Sequence, residues 1–246
     1  MEWNALKNVW WHEKFQVEFL CGLKSIELRC FPGEFPLSES DFLQNFPNLE
    51  IRLVASDSFS KGISEEEHIM SHLPLKVLIS SPLSFQNLTS LEVSKCHGLM
   101  NLMTPSAATS LVQLRRMDIK ECDTMQEIVA MTEEGDAVED HEIGFGQLTF
   151  LGLDGLPYLT SFCSGNVAFN FPSLEEVIVR GCPKMKTFAK QVSGGQKLWR
   201  VQTGKHKYEW EWEGSLNNTI EGLSMEMVII HKITLYILIE LIMAMK

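Results

Sequence analysis

The sequence predicts a solenoid of short repeats in the α/β class, with a parallel β-sheet along its concave face and a mostly irregular convex side. Two observations carry this prediction. Apolar residues recur at the same offsets in four stretches of the chain, which start at Leu88, Leu114, Leu148 and Leu174. Inside each stretch, two apolar residues flank a single intervening residue, which is the alternation of a short β-strand.

The repeat unit has seven apolar slots, at offsets −3, 0, +3, +5, +8, +11 and +14 from its starting leucine. All 28 slots of the four stretches (four times seven) are apolar, whereas only 45% of the whole chain is. The starting leucines lie 26 residues apart within each pair and 34 residues apart between the pairs. A period of roughly 20–29 residues with the pattern L-x-x-L-x-L-x-x-[N/C] is typical of leucine-rich repeats. The predicted architecture is therefore a leucine-rich repeat solenoid, or horseshoe.

Two weaker repeats precede these four. The first starts at Leu23 and has apolar residues in six of the seven slots. The second starts at Leu49 and is degenerate, because the same spacing puts Arg52 and Asp57 in apolar slots. Together with a terminal strand after the fourth strong stretch, these repeats predict a solenoid of about six repeats over residues 1–204.

The C-terminal part departs from the repeat pattern. Residues 205–227 are rich in tryptophan and form a candidate cap, since a terminal repeat needs a cover over its core edge. Trp210 and Trp212 are the candidate covering side chains. Residues 228–246 are apolar, but their longest uncharged run, 233–239, is too short for a membrane span. This tail could pack on the last coil, lie on a membrane surface, or be a stray extension of the reading frame.

A cysteine occupies the +8 slot in three of the four stretches, as Cys96, Cys122 and Cys182. The slot lies where the chain leaves the strand, and a thiol is small enough to be buried there and can hydrogen-bond nearby backbone. Leu156 and Phe31 take the same slot in other repeats, which a metal ligand or a disulfide partner could not do. We therefore predict buried structural thiols, with no metal site and no disulfide.

Composition and motifs argue against several function classes. The formal net charge of −11 is opposite in sign to what nucleic acid phosphates attract. The chain has no phosphate-binding loop, dinucleotide motif or nucleophile elbow, so we predict neither a cofactor nor enzymatic activity. Residues 133–142 are acidic without the spacing of a calcium loop, which predicts a solvated loop. His68 and His72 lack the residue order of a zinc-protease motif and predict a surface helix.

Between the apolar slots, residues alternate outward and would cover the concave face of the solenoid. One outward row is mainly acidic and the next is mainly basic, which favours a protein partner over nucleic acid. The alternative is that these charges only keep the sheet face soluble. The candidate binding residues are Glu27, Arg29, Glu92, Ser94, Arg115, Arg116, Asp118, Lys120, Asp154, Glu175, Glu176 and Arg180.

The rows also give an expectation for mutagenesis. The repeat spacing puts Glu27 in the acidic row with Asp118, and Arg29 in the basic row with Lys120 and Arg180. If the face binds a partner, reversing Lys120 and Arg180 to glutamate should weaken docking by about 1–3 kcal/mol. Because the side chains point away from the core, folding should remain intact.

Three segments carry a resemblance to a known family. FQNLTSLEVSKCHGLMNLMTPSAATSLVQLRRMDIKECDTMQEIVA (85–130), FPSLEEVIVRGCPKMKTF (171–188) and WEWEGSLNNTIEGL (210–223) resemble the C-terminal leucine-rich repeats of plant coiled-coil nucleotide-binding disease-resistance proteins. The likeness runs from about Leu6 to Val228. The nucleotide-binding domain of that family and its phosphate loop have no counterpart in this sequence, so nucleotide binding is not carried over.

The resemblance implies a non-enzymatic, cytoplasmic recognition and autoinhibitory module of an intracellular plant immune receptor. Its implied partners are proteins, namely a pathogen effector, a guarded host protein, or the receptor's own nucleotide-binding domain, and not nucleic acid or a membrane. The alternative is a leucine-rich repeat adaptor outside immunity, such as a ubiquitin-ligase substrate receptor. That alternative would need an F-box-like helical segment before the repeats, which the sequence lacks.

Overall fold

The structure is a computed structural model that describes residues 25–30, 50–56, 75–79, 87–131, 142–198, 201–203, 210–225 and 237. Its strands are β1 (Ser25–Cys30), β2 (Glu50–Ser56), β3 (Leu75–Ile79), β4 (Leu88–Ser94), β5 (Leu99–Met103), β6 (Arg116–Lys120), β7 (Glu127–Val129), β8 (Glu142–Gly144), β9 (Phe150–Asp154), β10 (Cys163–Phe171), β11 (Glu176–Arg180), β12 (Ala189–Gly194), β13 (Val201–Gln202) and β14 (Trp210–Glu211). The described helices are α1 (Pro105–Ser110) and α2 (216–225).

The strands predicted from the repeat form one sheet. Its order is β1-β2-β4-β6-β9-β11-β13-β14, and all neighbours are parallel except β13 and β14. The +3 slots of the four strong repeats, Leu91, Met117, Leu151 and Val177, pair in register across β4, β6, β9 and β11. A parallel sheet built from one strand per repeat is the predicted arrangement, and the predicted solenoid fold is confirmed.

The return segments contain more regular structure than predicted. They form two further three-stranded parallel sheets, ordered β3-β5-β7 and β12-β10-β8. Successive coils stack with the same spacing, so extended return segments meet in register and can pair; Met103, for example, aligns with Ile79 and Val129. Helix α1 is a short helix within a return segment, and Thr104 caps it by accepting a 3.2 Å hydrogen bond from Ala107 N.

The predicted slots form the core. Every slot of the four strong repeats that the structure describes is buried, except that Cys182 is partly exposed. In the last two coils the core is aromatic. The rings of Phe162 and Phe188 stack 4.7 Å apart, and those of Phe145 and Phe171 stack 5.4 Å apart. Large buried rings of this kind contribute several kcal/mol each to folding.

The thiols in the +8 slots are structural. Cys96, Cys122 and Cys182 are free, and each donates to the carbonyl oxygen two residues earlier, at sulfur–oxygen distances of 3.4, 3.3 and 3.3 Å. Burial raises the pKa of the Cys182 thiol to about 12, and burial also raises the pKa of Cys163. No group of three metal-ligating side chains occurs within the described ranges.

The second repeat lies one residue away from its predicted position. We expected Arg52 in an apolar slot, and this expectation was wrong. The pairing aligns Leu53 with Leu91 and Arg52 with Ser90, which is an outward position. The β2–β4 pairing is also irregular at this point, because Ile51 aligns with Leu88 whereas the next residue, Arg52, aligns with Ser90.

Helix α2 and β14 cover the last coil. Leu216, Thr219 and Ile220 are buried at 3%, 0% and 1% exposure, so the apolar face of α2 closes the core edge. Ser215 begins the helix by accepting a 3.1 Å hydrogen bond from Asn218 N. Trp212, one of the two expected covering side chains, is 37% exposed.

Several features named in the sequence lie outside the described residues. They are Phe31, Asp57, His68, His72, the side chain of Trp210, most of the acidic loop (133–141) and the tail 228–246 apart from Ile237. Among the helices that the structure does describe, none has the length and apolar character required to cross a membrane.

Candidate protein-binding face

The concave face is the outward side of β4, β6, β9 and β11. Its three rows run across the sheet, and strand pairing defines them. The first contains Ser90, Arg116, Phe150 and Glu176; the second contains Glu92, Asp118, Gly152, Ile178 and Gln202; the third contains Ser94, Lys120, Asp154 and Arg180. Most of the predicted binding residues are therefore neighbours on one surface.

Asp118 is the centre of this face. Its Oδ2 accepts from Arg116 Nη2 at 2.6 Å and from Lys120 Nζ at 2.7 Å, so both cations of β6 point at one carboxylate. Asp118 is only 4% exposed, although sequence alternation places it on the outward side of the sheet. Two cations on one anion leave this group with one excess positive charge at the surface.

Gly152 makes room for the Asp118 carboxylate. A Cβ at this position would collide with Asp118 Oδ1 and would approach the Phe150 ring within 3.1 Å. The missing side chain lets a carboxylate from β6 lie over the backbone of β9. The burial of Asp118 therefore depends on a residue 34 positions later in the chain.

Arg116 is held on both sides. Its guanidinium carbon lies 3.7 Å from the centroid of the Phe150 ring, while its Nη2 bonds Asp118. Stacking on an aromatic face and pairing with a carboxylate together restrict the side chain to one position. Arginine and aromatic residues held in this way are common among residues that dominate protein–protein binding.

The next two strands carry a second ion pair. Arg180 Nη2 donates to Asp154 Oδ2, and both side chains are about one-third or less exposed. Arg180 Nε is buried and has no hydrogen-bond partner in the described part of the chain, and the same holds for Ser90 Oγ. Buried polar atoms are usually paired, so these two atoms are exceptions at this face.

The structure places the other predicted residues as follows. Arg115 and Glu175 are exposed at the start of β6 and β11, and Glu92, Ser94 and Glu176 are half-buried.

Glu27 and Arg29 lie in different rows from those expected. The pairing aligns Glu27 with Arg52 and so with the row of Arg116, and it aligns Arg29 with the row of Asp118. The displacement adds two differences of one residue each, because β1 pairs with β2 at a spacing of 25 residues instead of 26, and β2 pairs with β4 at 38 instead of 39.

Sequence reasoning missed Phe150 and Gly152. Both stand between apolar slots, where the candidates considered were charged residues and Ser94. The available signal was an aromatic residue at an outward strand position, beside arginine in the register of the repeat.

A comparison with known protein families shows the family to which this chain belongs. Residues 63–199 match the family model described as plant disease resistance protein RPS2-like, leucine-rich repeats, and this match covers more than half of the chain. The chain belongs to this family. The predicted resemblance to plant disease-resistance repeats is thereby confirmed.

A curated relative supports the RPS2-like assignment. The chain is 29% identical over 179 residues to a probable disease resistance protein of Arabidopsis thaliana. The match covers 70% of this chain and 18% of that protein, so the RPS2-like repeat region spans under a fifth of its relative. No solved structure matches the chain.

Proposed function

We propose that this RPS2-like repeat region is the recognition module of an intracellular plant immune receptor, and that it acts by binding protein rather than by catalysis. Its partner is a pathogen effector, a host protein guarded by the receptor, or the receptor's nucleotide-binding domain, which it would hold inactive. The binding surface is the concave face, and the compartment is the cytoplasm. Family membership and the name of the Arabidopsis relative support the immune role.

The observation that carries the choice of surface is the Asp118 group. Arg116 and Lys120 are ordered by a shared buried carboxylate, and Phe150 supports the guanidinium. Side chains that are already fixed lose little conformational entropy when a partner binds. An Arg–Phe pair at the middle of a concave sheet, with Lys120 beside it, fits a partner that presents a carboxylate and an apolar side chain.

The arrangement of charge supports a protein partner. The excess positive charge on β6 lies two strands from the acidic residues Glu175 and Glu176 at the start of β11. Neighbouring strands are about 4.8 Å apart, so opposite charges are separated by roughly 10 Å across the face. Mixed signs at this distance select the orientation of a protein and would repel parts of a uniformly charged phosphate backbone.

The contacts correct the choice of variant. Lys120 and Arg180 each pair with a carboxylate inside the face, so their reversal would set a glutamate against Asp118 or Asp154. We now expect this reversal to destabilise the fold as well, because it places like charges side by side at carboxylates that are largely buried.

Arg115 and Glu175 provide a cleaner test. Both are exposed, and the described part of the chain gives neither a side-chain ion pair. The double variant Arg115→Glu with Glu175→Lys preserves the net charge. We expect it to weaken binding to a nucleotide-binding domain of this family by about 1–3 kcal/mol, as reversed interface charges do.

The measurement is the dissociation constant by calorimetry or a quantitative pull-down, with circular dichroism to verify folding. The matched control is Lys95→Glu with Glu121→Lys, an exposed pair at the edge of the solenoid, 3.8 Å apart, that should leave binding unchanged. Equal binding by the wild type and a folded Arg115/Glu175 double variant would move the site away from the concave face.

A further inference from the structure

The last coil contains an unusual run of cations. Residues 177–208 include eight Lys and Arg residues and no Asp or Glu. These eight are taken from the 21 cations of the whole chain, so the other residues carry 13 cations against 32 carboxylates, a formal net charge of −19. One short stretch is therefore strongly basic within an acidic protein. A concentration of one sign of charge attracts ligands of the opposite sign.

Three of these lysines are close together on the outside of the coil. Lys184, Lys186 and Lys190 lie on the segment that leads from β11 into β12, and all three side chains are exposed. Six residues of chain span at most about 22 Å, so the three Cα atoms lie within that distance of one another. None of the three forms an ion pair with another residue in the part of the chain that the structure describes. We call these three lysines the basic rim.

The residues stacked beside the basic rim do not neutralise it. Lys186 N donates to Thr160 O at 3.3 Å, and Thr160 N donates to Gln126 O at 2.9 Å, so the residues in line with Lys186 are uncharged. Lys184 Nζ lies 3.7 Å from the centroid of the Tyr158 ring, which is 52% exposed. A ring face orients an ammonium group without cancelling its charge. The positive charge of the rim therefore remains available to a partner.

A cleft of about 850 Å³ borders the basic rim where the last coil meets the cap. Lys190 lines it on the coil side, and Trp212, which is 37% exposed, lines it on the cap side. Asn217 joins the two walls, because its Oδ1 accepts from Phe188 N at 2.9 Å and its Nδ2 donates to Ala189 O at 2.7 Å. An apolar side chain in this cleft would contact the Trp212 ring next to a lysine.

We propose that the basic rim and this cleft form a second docking surface, which binds an acidic segment of a partner protein. Carboxylates of the segment pair with Lys186 and Lys190, and an apolar side chain enters the cleft against Trp212. At about 3.3 Å per residue, an extended segment of roughly seven residues covers the rim. This surface shares no residue with the concave face, so it goes beyond the function proposed above.

Carboxylates near the cleft favour a short peptide over a nucleic acid or an anionic membrane. Glu142 lines the same cleft as Lys190, and Glu213 is exposed next to Trp212 on the cap. A polyanion broad enough to cover the rim and the cleft would be repelled by both carboxylates. A short segment can place its carboxylates at the lysines and its apolar side chain at the cleft, where it meets no such repulsion.

The test selects random linear peptides, displayed on phage, on the full 246-residue chain at low ionic strength. Selected peptides are synthesised with a fluorophore, and fluorescence polarisation measures their dissociation constants. The rim variant is Lys186→Gln with Lys190→Gln, which removes two positive charges from exposed positions. The matched control is Lys95→Glu, which changes the net charge by the same amount at an exposed corner of another coil. Circular dichroism verifies that both variants fold.

We expect the selected peptides to be rich in Asp and Glu and to include an apolar residue. They should bind the rim variant about fivefold more weakly than the wild type, because each exposed ion pair contributes a factor of about two to five. Binding to the Lys95→Glu control should change less than about twofold. Added salt should weaken binding, since exposed charges are screened. Replacing the apolar residue of a selected peptide by serine should weaken binding about threefold or more.

Several results would overturn the proposal. It fails if no peptide is selected, if the selected peptides lack acidic residues, or if the rim variant binds them as the wild type does. Equal affinity of the serine-substituted peptide would remove the cleft from the site. Single-stranded RNA or phosphatidylserine vesicles that bind the wild type but not the rim variant, without any acidic peptide, would replace the protein partner by a polyanion. Self-association that the rim variant loses, again without a peptide, would replace it by a second copy of this chain.

Discussion

The four strong repeats fall into two pairs that build the same coil with different residues. The front pair starts at Leu88 and Leu114, and the rear pair starts at Leu148 and Leu174. Where the chain leaves the strand, the backbone is left-handed in all four coils. The front pair has Lys95 and Glu121 there, at φ of 56° and 52°, and the rear pair has Gly155 and Gly181, at 68° and 61°.

The two pairs also differ behind the sheet. In the front pair the +14 slot holds Leu102 and Ile128, whereas in the rear pair it holds Phe162 and Phe188, and all four are fully buried. The coils nevertheless remain in register across β4, β6, β9 and β11. The comparison teaches that the slot dictates backbone shape and burial, while several side chains can fill it. A substitution should therefore change the free energy of unfolding by different amounts in the two pairs, although their structures are alike.

The largest loss of stability is expected from a substitution in the aromatic core of the rear pair. Phe162→Ala should lower the free energy of unfolding by about 3–5 kcal/mol, because it removes a ring that contacts Phe145, Phe169 and Phe188. Urea unfolding followed by circular dichroism measures it, and the rear coils should unfold first because solenoid stability is carried by neighbouring coils. Val112→Ala truncates a 48% exposed side chain and should stay within about 0.5 kcal/mol. A cost below about 1 kcal/mol for Phe162→Ala would contradict a shared aromatic core.

The next largest effect is expected where the two pairs meet at the concave face, at the contact between Gly152 and Asp118. Gly152→Ala should cost about 1–3 kcal/mol, because the new methyl group displaces the Asp118 carboxylate from its place over β9. Gly146→Ala is the control, since nothing lies within 4 Å of the added carbon there. Thermal unfolding measures both. Equal melting temperatures for the two variants would show that Asp118 moves without cost.

The four left-handed residues form the corners where the chain leaves each strand. Substitutions at these corners should change stability less, and with opposite signs in the two pairs. Gly181→Ala should destabilise by about 1–2 kcal/mol, the cost of a left-handed residue with a Cβ. Glu121→Gly should stabilise by about 0.5–1 kcal/mol, because it relieves that cost at the matching corner and loses only an exposed pair with Lys95. Unfolding midpoints of the two variants that shift in the same direction would argue against a shared corner geometry.

The smallest effect concerns the thiols. The pKa of Cys182 is raised to about 12 in the folded chain, so the folded state holds this proton more tightly than the unfolded state. Its contribution to stability is therefore complete at neutral pH and declines above the unfolded value, as pH rises towards about 12. The Cys182→Ala variant should therefore lose less stability than the wild type as pH rises through this range. At neutral pH iodoacetamide should label Cys96 and Cys122 much faster in urea than in buffer, which mass spectrometry can follow. Rapid labelling of these two thiols in the native chain would be inconsistent with their burial.

The repeat pattern could be predicted from the sequence because it depends on local alternation and a constant period. The strands from β4 to β11 and the burial of their slots follow from residues such as Leu91 and Val93, whose spacing alone selects one face. The register of the second repeat could not be predicted, since the pairing of β2 with β1 and β4 decides the position of Arg52. The charged residues of the candidate face and their common surface could also be predicted from the sequence. Phe150 was missed.

By itself, the sequence determined that this chain coils into leucine-rich repeats, that the thiols of the +8 slots pack with the core, and that polar side chains line one face. Each of these depends on a residue type recurring at a fixed interval. Only the tertiary structure decided that Asp118 is buried under two cations, that Gly152 makes this possible, and that the side chain of Asn217 hydrogen-bonds both backbone groups of Ala189. These three depend on contacts between residues more than 25 positions apart, or on an environment built by them. Hydrogen bonds and collisions of that range are decided by how coils stack, which no local pattern encodes.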